Sequence, residues 1–364
     1  MPFANKSQEG SPSTGDRLSR REALMAAAAL SAAPRALAER LPAGASHQPG
    51  ASSLQAAARG SRNSRSANTT PAERPANAGT APRKPLLLGA PLFVKTQDPR
   101  ELAREARRLG YSAAYCPPAA PHETEKLRAI ETGFAAENVV IAEVGVWVNL
   151  LDADPEKRRD NLRRVTDGLA VAEAVGARCA VTICGSFNEK VWYGPHPRNV
   201  SQAFFDAAVE NARKILDAVK PKRARFTYEM MGWSLPDSPD AYLKMIRAVD
   251  RPGFAVHLDV CNLVNSPQRF YNNAALIDEC FRKLGRWIVS CHAKDLDWIP
   301  EMNIHFVEVI PGRGHIDYRA YLKGLAGLET PAPLMLEHLK TAEEYAEGAR
   351  HIRSVAAELG LEFA

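Results

Sequence analysis

The sequence predicts an α/β chain folded as a (β/α)8 TIM barrel, and three observations carry that prediction. Short apolar runs of strand length alternate eight times with helical stretches from Pro85 onward, and regular βα alternation implies a parallel sheet. The segment 85–364 holds 280 residues, close to the ~250 typical of such a barrel. The last four strands each oppose an apolar face to a small or polar one and end in an ionisable residue. In Phe254–Asp259, alternation sends Ala255, His257 and Asp259 one way and Phe254, Val256 and Leu258 the other. That pattern suits a barrel strand with helices outside and a functional mouth at its C-terminal end. An open doubly wound sheet would want a Gly-rich phosphate turn after its first strand, and none follows here.

Taken in order, Leu86–Phe93 reads as the first strand, and Asp98-Pro99 opens a helix to Arg108 that Gly110 closes. A second strand, Ser112–Cys116, leads to a helix over His122–Glu137, and Val139–Trp147 is the third strand. Asp154-Pro155 supplies an N-cap and first-turn proline for a helix to Val175 before Gly176. Arg178–Cys184 is a strand, followed by a long loop and a helix over Ser201–Val219. Ala224–Glu229 precedes a helix that opens at Ser238-Pro239 and runs to Val249. Phe254–Asp259 precedes a helix over Asn273–Leu284, and Trp287–His292 is the seventh strand. After Gly312-Arg313-Gly314 come a helix over Tyr318–Leu325, the strand Pro333–Glu337 and a last helix over Ala342–Leu359.

Residues 1–84 differ in kind. They contain twelve basic and five acidic residues, against 35 and 37 in the remainder, so the net charge of +5 comes from this segment. The near-neutral barrel therefore gives no reason to expect a nucleic-acid partner. Arg20-Arg21, the Ala/Leu-rich run Met25–Ala33 and Ala36-Leu37-Ala38 resemble a twin-arginine export signal over 1–38 with a small-x-small cleavage site. Residues 39–84, rich in Ala, Ser, Pro, Gly and Arg without apolar periodicity, read as a disordered linker. The expectation is a periplasmic or otherwise exported protein, cytoplasmic if the signal is not used. The apolar run is too short to hold the mature chain in a membrane. None of the six cysteines shows metal-ribbon or CxxC spacing, and no structural disulfide is expected.

The strands Ala224–Glu229, Phe254–Asp259, Trp287–His292 and Pro333–Glu337 end in Glu229, Asp259, His292 and Glu337. One such residue is ordinarily a strand-end polar group bonded to a loop; four on consecutive strands outline a metal site. With Asn262, the run His292-Ala293-Lys294-Asp295 and the turn Pro311-Gly312-Arg313-Gly314-His315-Ile316-Asp317, this pattern resembles the xylose isomerase-like TIM-barrel family of sugar phosphate isomerases/epimerases and ketose 3-epimerases. Endonuclease IV is a distant relative. The resemblance implies one divalent metal held by Glu229, Asp259, His292 and Glu337, with Glu229 and Glu337 as the catalytic acid/base pair. Three carboxylates and an imidazole suit Mn2+, or Mg2+, with Co2+ and Zn2+ as alternatives. One departure stands out: Asn262 occupies the position where those epimerases carry His, and an amide binds a sugar hydroxyl but transfers no proton.

The chemistry calls for the same set. Moving a sugar's carbonyl, or inverting a neighbouring centre, removes a proton next to that carbonyl, and a Lewis acid stabilises the enediolate that forms. For substrate binding the sequence offers His257, Asn262 and Lys294, Arg313 in the Gly-Arg-Gly turn for a phosphate or hydroxyl, and His196 and Trp233 in loops at the mouth, beside Trp192 and Tyr193. Glu143 faces inward if its strand is in register, where it can support a ligand from behind. The reading is a metal-dependent sugar or sugar phosphate isomerase/epimerase with a small-molecule sugar substrate. A lyase or dehydratase on keto-sugars needs the same groups, and a non-catalytic sugar-binding barrel would tolerate loss of any one acid. An endonuclease would need more ligands and a basic face. Oligomeric state stays open, a homo-oligomer included.

Overall fold

In the computed structural model, residues 84–364 are described; the expected signal and nearly all of the expected linker lie outside them. The first eight strands are β1 (Leu87–Gly89), β2 (Ala113–Ala114), β3 (Val140–Ile141), β4 (Glu143–Gly145), β5 (Cys179–Thr182), β6 (Arg225–Glu229), β7 (Phe254–Leu258) and β8 (Ile288–Ala293). A hairpin of β9 (Asp295–Trp298) and β10 (Phe306–Val309) follows, and β11 (Pro333–Leu336) is the last strand. Outside the hairpin all neighbours pair in parallel, in the order β3-β2-β1-β11-β8-β7-β6-β5-β4. The two ends of this sheet are consecutive in the chain, so the sheet closes on itself. Val139–Trp147, expected as one strand, is thus two short pieces meeting at Ala142. The Ala142 N–H donates to the Ala114 carbonyl at 2.9 Å, and its carbonyl accepts from the Cys179 N–H at 3.3 Å. One residue therefore joins both neighbours, and the barrel closes there.

The helices are α1 (Pro99–Arg108), α2 (Thr124–Ala136), α3 (Pro155–Val175), α4 (Gln202–Val219), α5 (Pro239–Val249), α6 (Pro267–Tyr271), α7 (Asn273–Leu284), α8 (Tyr318–Ala326) and α9 (Ala342–Glu358). Side-chain caps fix where several begin: Asp98, Asp154, Ser201, Ser238, Asp317 and Thr341 each accept a first-turn N–H. Such a cap is worth about 1 kcal/mol. Pro99, Pro155 and Pro239 sit in the first turns, where their missing N–H costs nothing. The helices pack on the outward strand residues Phe226, Tyr228, Phe254, Val256 and Leu258, all buried.

Inside the barrel the residues stack in layers, as period-two strands require. Leu87, Ala113, Ala142 and Met335 form an apolar plug. Gly89 is obligatory beside it, because a Cβ there would lie 2.5 Å from the Ala113 carbonyl oxygen and 2.6 Å from Met335. Glu143, Thr227, His257 and Ser290 form a buried polar layer. Two residues further along their strands come Glu229, Asp259 and His292, with Glu337 two residues beyond Met335. Polar side chains therefore collect at the C-terminal mouth.

The hairpin occupies the segment between β8 and α8, which reads from sequence as a loop. Its strands pair antiparallel, with Asp295 opposite Val309. Phe306 stacks on Phe270 of α6, with ring centroids 4.8 Å apart and planes 12° from parallel. Asp295 organises the chain that follows. Its carboxylate accepts from the N–H groups of Leu296, Gly312, Gly314 and Ile316 at 2.9, 2.8, 3.1 and 2.9 Å. Gly312 adopts φ 96°, and a Cβ on Gly314 would meet Asp295 Oδ1 at 2.4 Å. The Gly-Arg-Gly turn is thus shaped to wrap a buried carboxylate. Asp295→Ala should lower unfolding free energy by about 3 kcal/mol or more, since several N–H groups lose their acceptor, and Gly314→Ala should destabilise through the same loop. Chemical denaturation checks both, and wild-type midpoints would refute the role assigned to Asp295.

Candidate metal centre

His292 is the hub of the mouth. Its Nδ1 lies 3.0 Å from Glu337 Oε2, 3.3 Å from Glu229 Oε1 and 3.5 Å from Asp259 Oδ2. Its Nε2 lies 3.1 Å from Glu143 Oε1, on the opposite side of the ring. Glu143 is itself gripped from beneath: Oε2 accepts from His257 Nε2 at 2.9 Å and from Ser290 Oγ at 3.0 Å. These partners fix both the ring orientation of His292 and the nitrogen it turns to the carboxylates, as a carboxylate behind a ligating imidazole does.

Glu229, Asp259, His292 and Glu337 each offer one ligand atom, all within 4.8 Å of one another. Asp259 Oδ2 and Glu337 Oε2 are buried and have no aligned hydrogen-bond donor among the described residues. Lys294 Nζ does approach them, at 2.8 and 2.9 Å, and these short contacts are charge–charge approaches rather than well-directed hydrogen bonds. Two buried carboxylate oxygens without a directed donor, facing an imidazole nitrogen, form a donor set that fits a divalent cation. To ligate one, Nδ1 gives up any proton it carries while the N–H on Nε2 stays on Glu143. Glu143, His257 and His292 also lie close enough to form a set, but the oxygens of Glu143 are already taken by three donors.

Charge shapes this site strongly. Burial alone would push the His292 pKa down, but Glu337, Glu143 and Glu229 outweigh it and hold it well above the ordinary histidine range. Lys294 behaves alike: burial pushes it down, and Asp259, Glu337 and Glu229 carry it well above the usual lysine value. Burial would raise Asp259, yet Lys294 and His292 keep it well below the usual range. Glu337 follows Asp259, with burial overcome by His292 and Lys294. Glu229 goes the other way, because burial outweighs the same two cations. The two glutamates thus differ in how far His292 and Lys294 compensate their burial.

Of the residues the sequence suggested for substrate, Lys294 lies in the cluster. Asn262 touches it: its Nδ2 donates to Glu229 Oε1 at 2.9 Å and to the Met230 carbonyl at 3.0 Å, and its N–H donates to Asp259 Oδ1 at 3.2 Å. His257 is fully buried against Glu143 and belongs to the layer beneath the mouth. Arg313, on the turn that wraps Asp295, donates from Nε and Nη2 to Glu347 at 2.6 and 2.8 Å. His196 caps a 3-10 turn by accepting from the Arg198 N–H. Trp233 is 62% exposed, and Trp192 packs edge-on against Tyr193. Three participants were not singled out from sequence. Trp147 lies 6.4 Å, ring to ring, from His292. His338 follows Glu337 with a left-handed φ of 61°, a backbone state that non-glycine residues adopt at a cost. Glu308, on β10, holds His338 Nδ1 at 2.7 Å. The position of His338 next to Glu337 was a readable signal; Glu308 gave none without the hairpin.

With this geometry in view, the chain can be set against known proteins. Residues 103–355 match the family described as xylose isomerase-like TIM barrel. The chain belongs to that family. No curated protein sequence matches the chain. A xylose isomerase-like TIM barrel protein from Mycobacterium smegmatis, solved in complex with magnesium, is 18% identical with TM-score 0.51, the match covering 71% of this chain and 88% of that one. Endonuclease IV from Thermus thermophilus gives 19% identity and TM-score 0.56, covering 75% and 99%. A D-psicose 3-epimerase from Clostridium cellulolyticum, solved with D-tagatose, gives 12% and 0.55, covering 76% and 100%. At these identities the likeness is one of fold.

The buried polar layer makes a direct prediction. Burial pushes Glu143 up, but His257 and His292 overcome it and hold its pKa down at about 2. A carboxyl group depressed in the folded state adds stability that is complete above its ordinary 4.5 and is lost as pH falls towards 2. Glu143→Gln turns an amide donor onto donors and should cost about 3–5 kcal/mol at neutral pH, the range for breaking a buried ion pair. The wild-type minus variant difference, followed by denaturant titration, should be full between pH 4.5 and the ordinary histidine value of 6.5 and shrink below pH 4.5. A flat difference down to the acid limit would show that Glu143 is not held as the anion.

Proposed function

We propose that this member of the xylose isomerase-like family is a divalent-metal-dependent sugar isomerase or epimerase, working by proton abstraction next to a carbonyl. One observation carries the reading: Glu229, Asp259, His292 and Glu337 each offer one ligand atom within 4.8 Å of one another, with Glu229 and Glu337 lying 3.3 and 3.0 Å from His292 Nδ1. Glu229, Asp259, His292 and Glu337 would hold the metal, Mn2+ fitting three carboxylates and one imidazole. When bound, it supplies Lewis-acid polarisation of the substrate carbonyl.

The protein's own groups divide the remaining work. Glu337 is the more accessible carboxylate, its side chain 17% exposed against 6% for Glu229, and a bound divalent cation favours its ionised form. It is the base. Glu229, positioned by the Asn262 amide, collects a proton from the substrate hydroxyl and returns it to carbon. The absence of a second imidazole at Asn262 leaves this transfer to the carboxylates. Lys294, whose ammonium lies beside the same carboxylates, would offer its charge to the oxygen on which negative charge develops. A D-psicose 3-epimerase solved with D-tagatose shares this fold, and the near-neutral charge of residues 85–364 favours a small sugar over a nucleic acid.

Incubating the Mn2+-loaded protein with a panel of free and phosphorylated ketoses in D2O should place deuterium on the carbon beside the carbonyl of the product. Glu337→Gln keeps the shape and removes the base, so turnover should fall roughly 10²–10⁴-fold. A dehydrated product would redirect the reading to a lyase. Isomerised sugar without solvent deuterium, at an undiminished rate in Glu337→Gln, would rule out proton transfer by these residues.

A further inference from the structure

Lys294 stands at the junction of β8 and β9 with its ammonium buried among acids, the residue only 4% exposed. Three of those acids are the carboxylates of the candidate metal centre: Nζ lies 2.8 Å from Asp259 Oδ2, 2.9 Å from Glu337 Oε2 and 3.8 Å from Glu229 Oε1. A fourth lies on the other side. Glu308 Oε1, carried in by β10 of the hairpin, is 3.7 Å from Nζ, and its second oxygen is anchored by His338 Nδ1 at 2.7 Å. Lys294, Glu308, Glu337, His338 and Lys340 line one pocket of about 120 Å³ beside the cluster. Asp259 Oδ2 and Glu337 Oε2, the oxygens nearest the ammonium, are also the two that lack a directed donor.

Resting on the metal reading above, we infer that Lys294 is a resident cation with two seats, and that Glu308 is the positioning residue that provides the second. In the first seat the ammonium lies among Asp259, Glu337 and Glu229 and neutralises them before any metal arrives. A divalent cation needs those same oxygens and repels the ammonium, because like charges at this separation in a shielded site interact strongly. Glu308 is near enough to receive the displaced ammonium with a small rotation of its four-carbon stem. There it borders the pocket, where it meets a substrate oxygen instead of a protein carboxylate. The hairpin thereby acquires a purpose in the site: it brings one carboxylate to the pocket wall, and His338 holds that carboxylate still. A lysine that only stabilised the carboxylates in place would not need Glu308.

A double-mutant cycle separates these roles. Mn2+ affinity is measured by calorimetry, and metal-free melting temperature by circular dichroism, for wild type, Lys294→Met, Glu308→Gln and the double variant. Lys294→Met should bind Mn2+ at least tenfold more tightly and melt at a lower temperature without metal, its carboxylates having lost their counter-ion. Glu308→Gln should bind severalfold more weakly than wild type, and the same substitution should have no effect in the Lys294→Met background. If Lys294→Met does not fold, Lys294→Gln serves in its place. Unchanged or weaker Mn2+ binding on removal of Lys294 would overturn the inference, since the lysine would then support the ligands. An equal effect of Glu308→Gln in both backgrounds would overturn it as well, Glu308 then acting through its own charge. Failure of wild type to bind Mn2+ at all would instead remove the metal reading and the inference with it.

Discussion

Four carboxylates lie at or beneath the mouth of this barrel, and the architecture around it is governed by how their charge is compensated. An unpaired buried carboxylate costs several kcal/mol, so Glu143, Glu229, Asp259 and Glu337 can coexist only with cations or donors placed between them. His292 touches all four, and Lys294 touches three of them. The layer beneath completes the compensation, with His257 and Ser290 both on Glu143. The site is therefore two stacked polar layers joined through one imidazole. In its lower layer both oxygens of Glu143 have donors and His257 Nδ1 is left without a partner, while its upper layer keeps two carboxylate oxygens without directed donors. The carboxylate oxygens that could take a cation thus lie in the upper layer.

The same economy explains the segment after β8. His292, Lys294 and Asp295 fall within four residues, yet they point to three tasks. His292 links the two layers, Lys294 lies among the upper carboxylates, and Asp295 turns away to gather the N–H groups of the Gly-Arg-Gly turn. By fixing that turn, Asp295 ties down both ends of the hairpin, and β10 carries Glu308 to the wall of the pocket. A loop-organising acid beside a site acid is easily mistaken for a second functional group. Here the distances settle which does what.

Much of this was legible in the sequence because barrel strands obey period two. His257 and Asp259 had to share a face, as did Thr227 with Glu229 and Ser290 with His292, so four strand ends converged once the βα order was read. Proline after a capping residue marked the starts of α1, α3 and α5. The rest was hidden for identifiable reasons. The break at Ala142 follows from barrel closure, which no local pattern encodes. The hairpin joins Asp-Leu-Asp-Trp to Phe-Val-Glu-Val across the connection 299–305, which lacks a glycine turn, so Glu308 could not be placed near Lys294. The pairing of Arg313 with Glu347 spans 34 residues of sequence, a contact that no local pattern announces.

We propose that the upper layer is a metal centre, and metal content decides the matter. Purified protein equilibrated with Mn2+ and then gel-filtered should retain one ion per chain by elemental analysis. The Asp259→Ala/His292→Ala variant, checked for folding by circular dichroism, should retain none. Stoichiometric Mn2+ in that folded variant, or its absence from the wild type, would contradict the account.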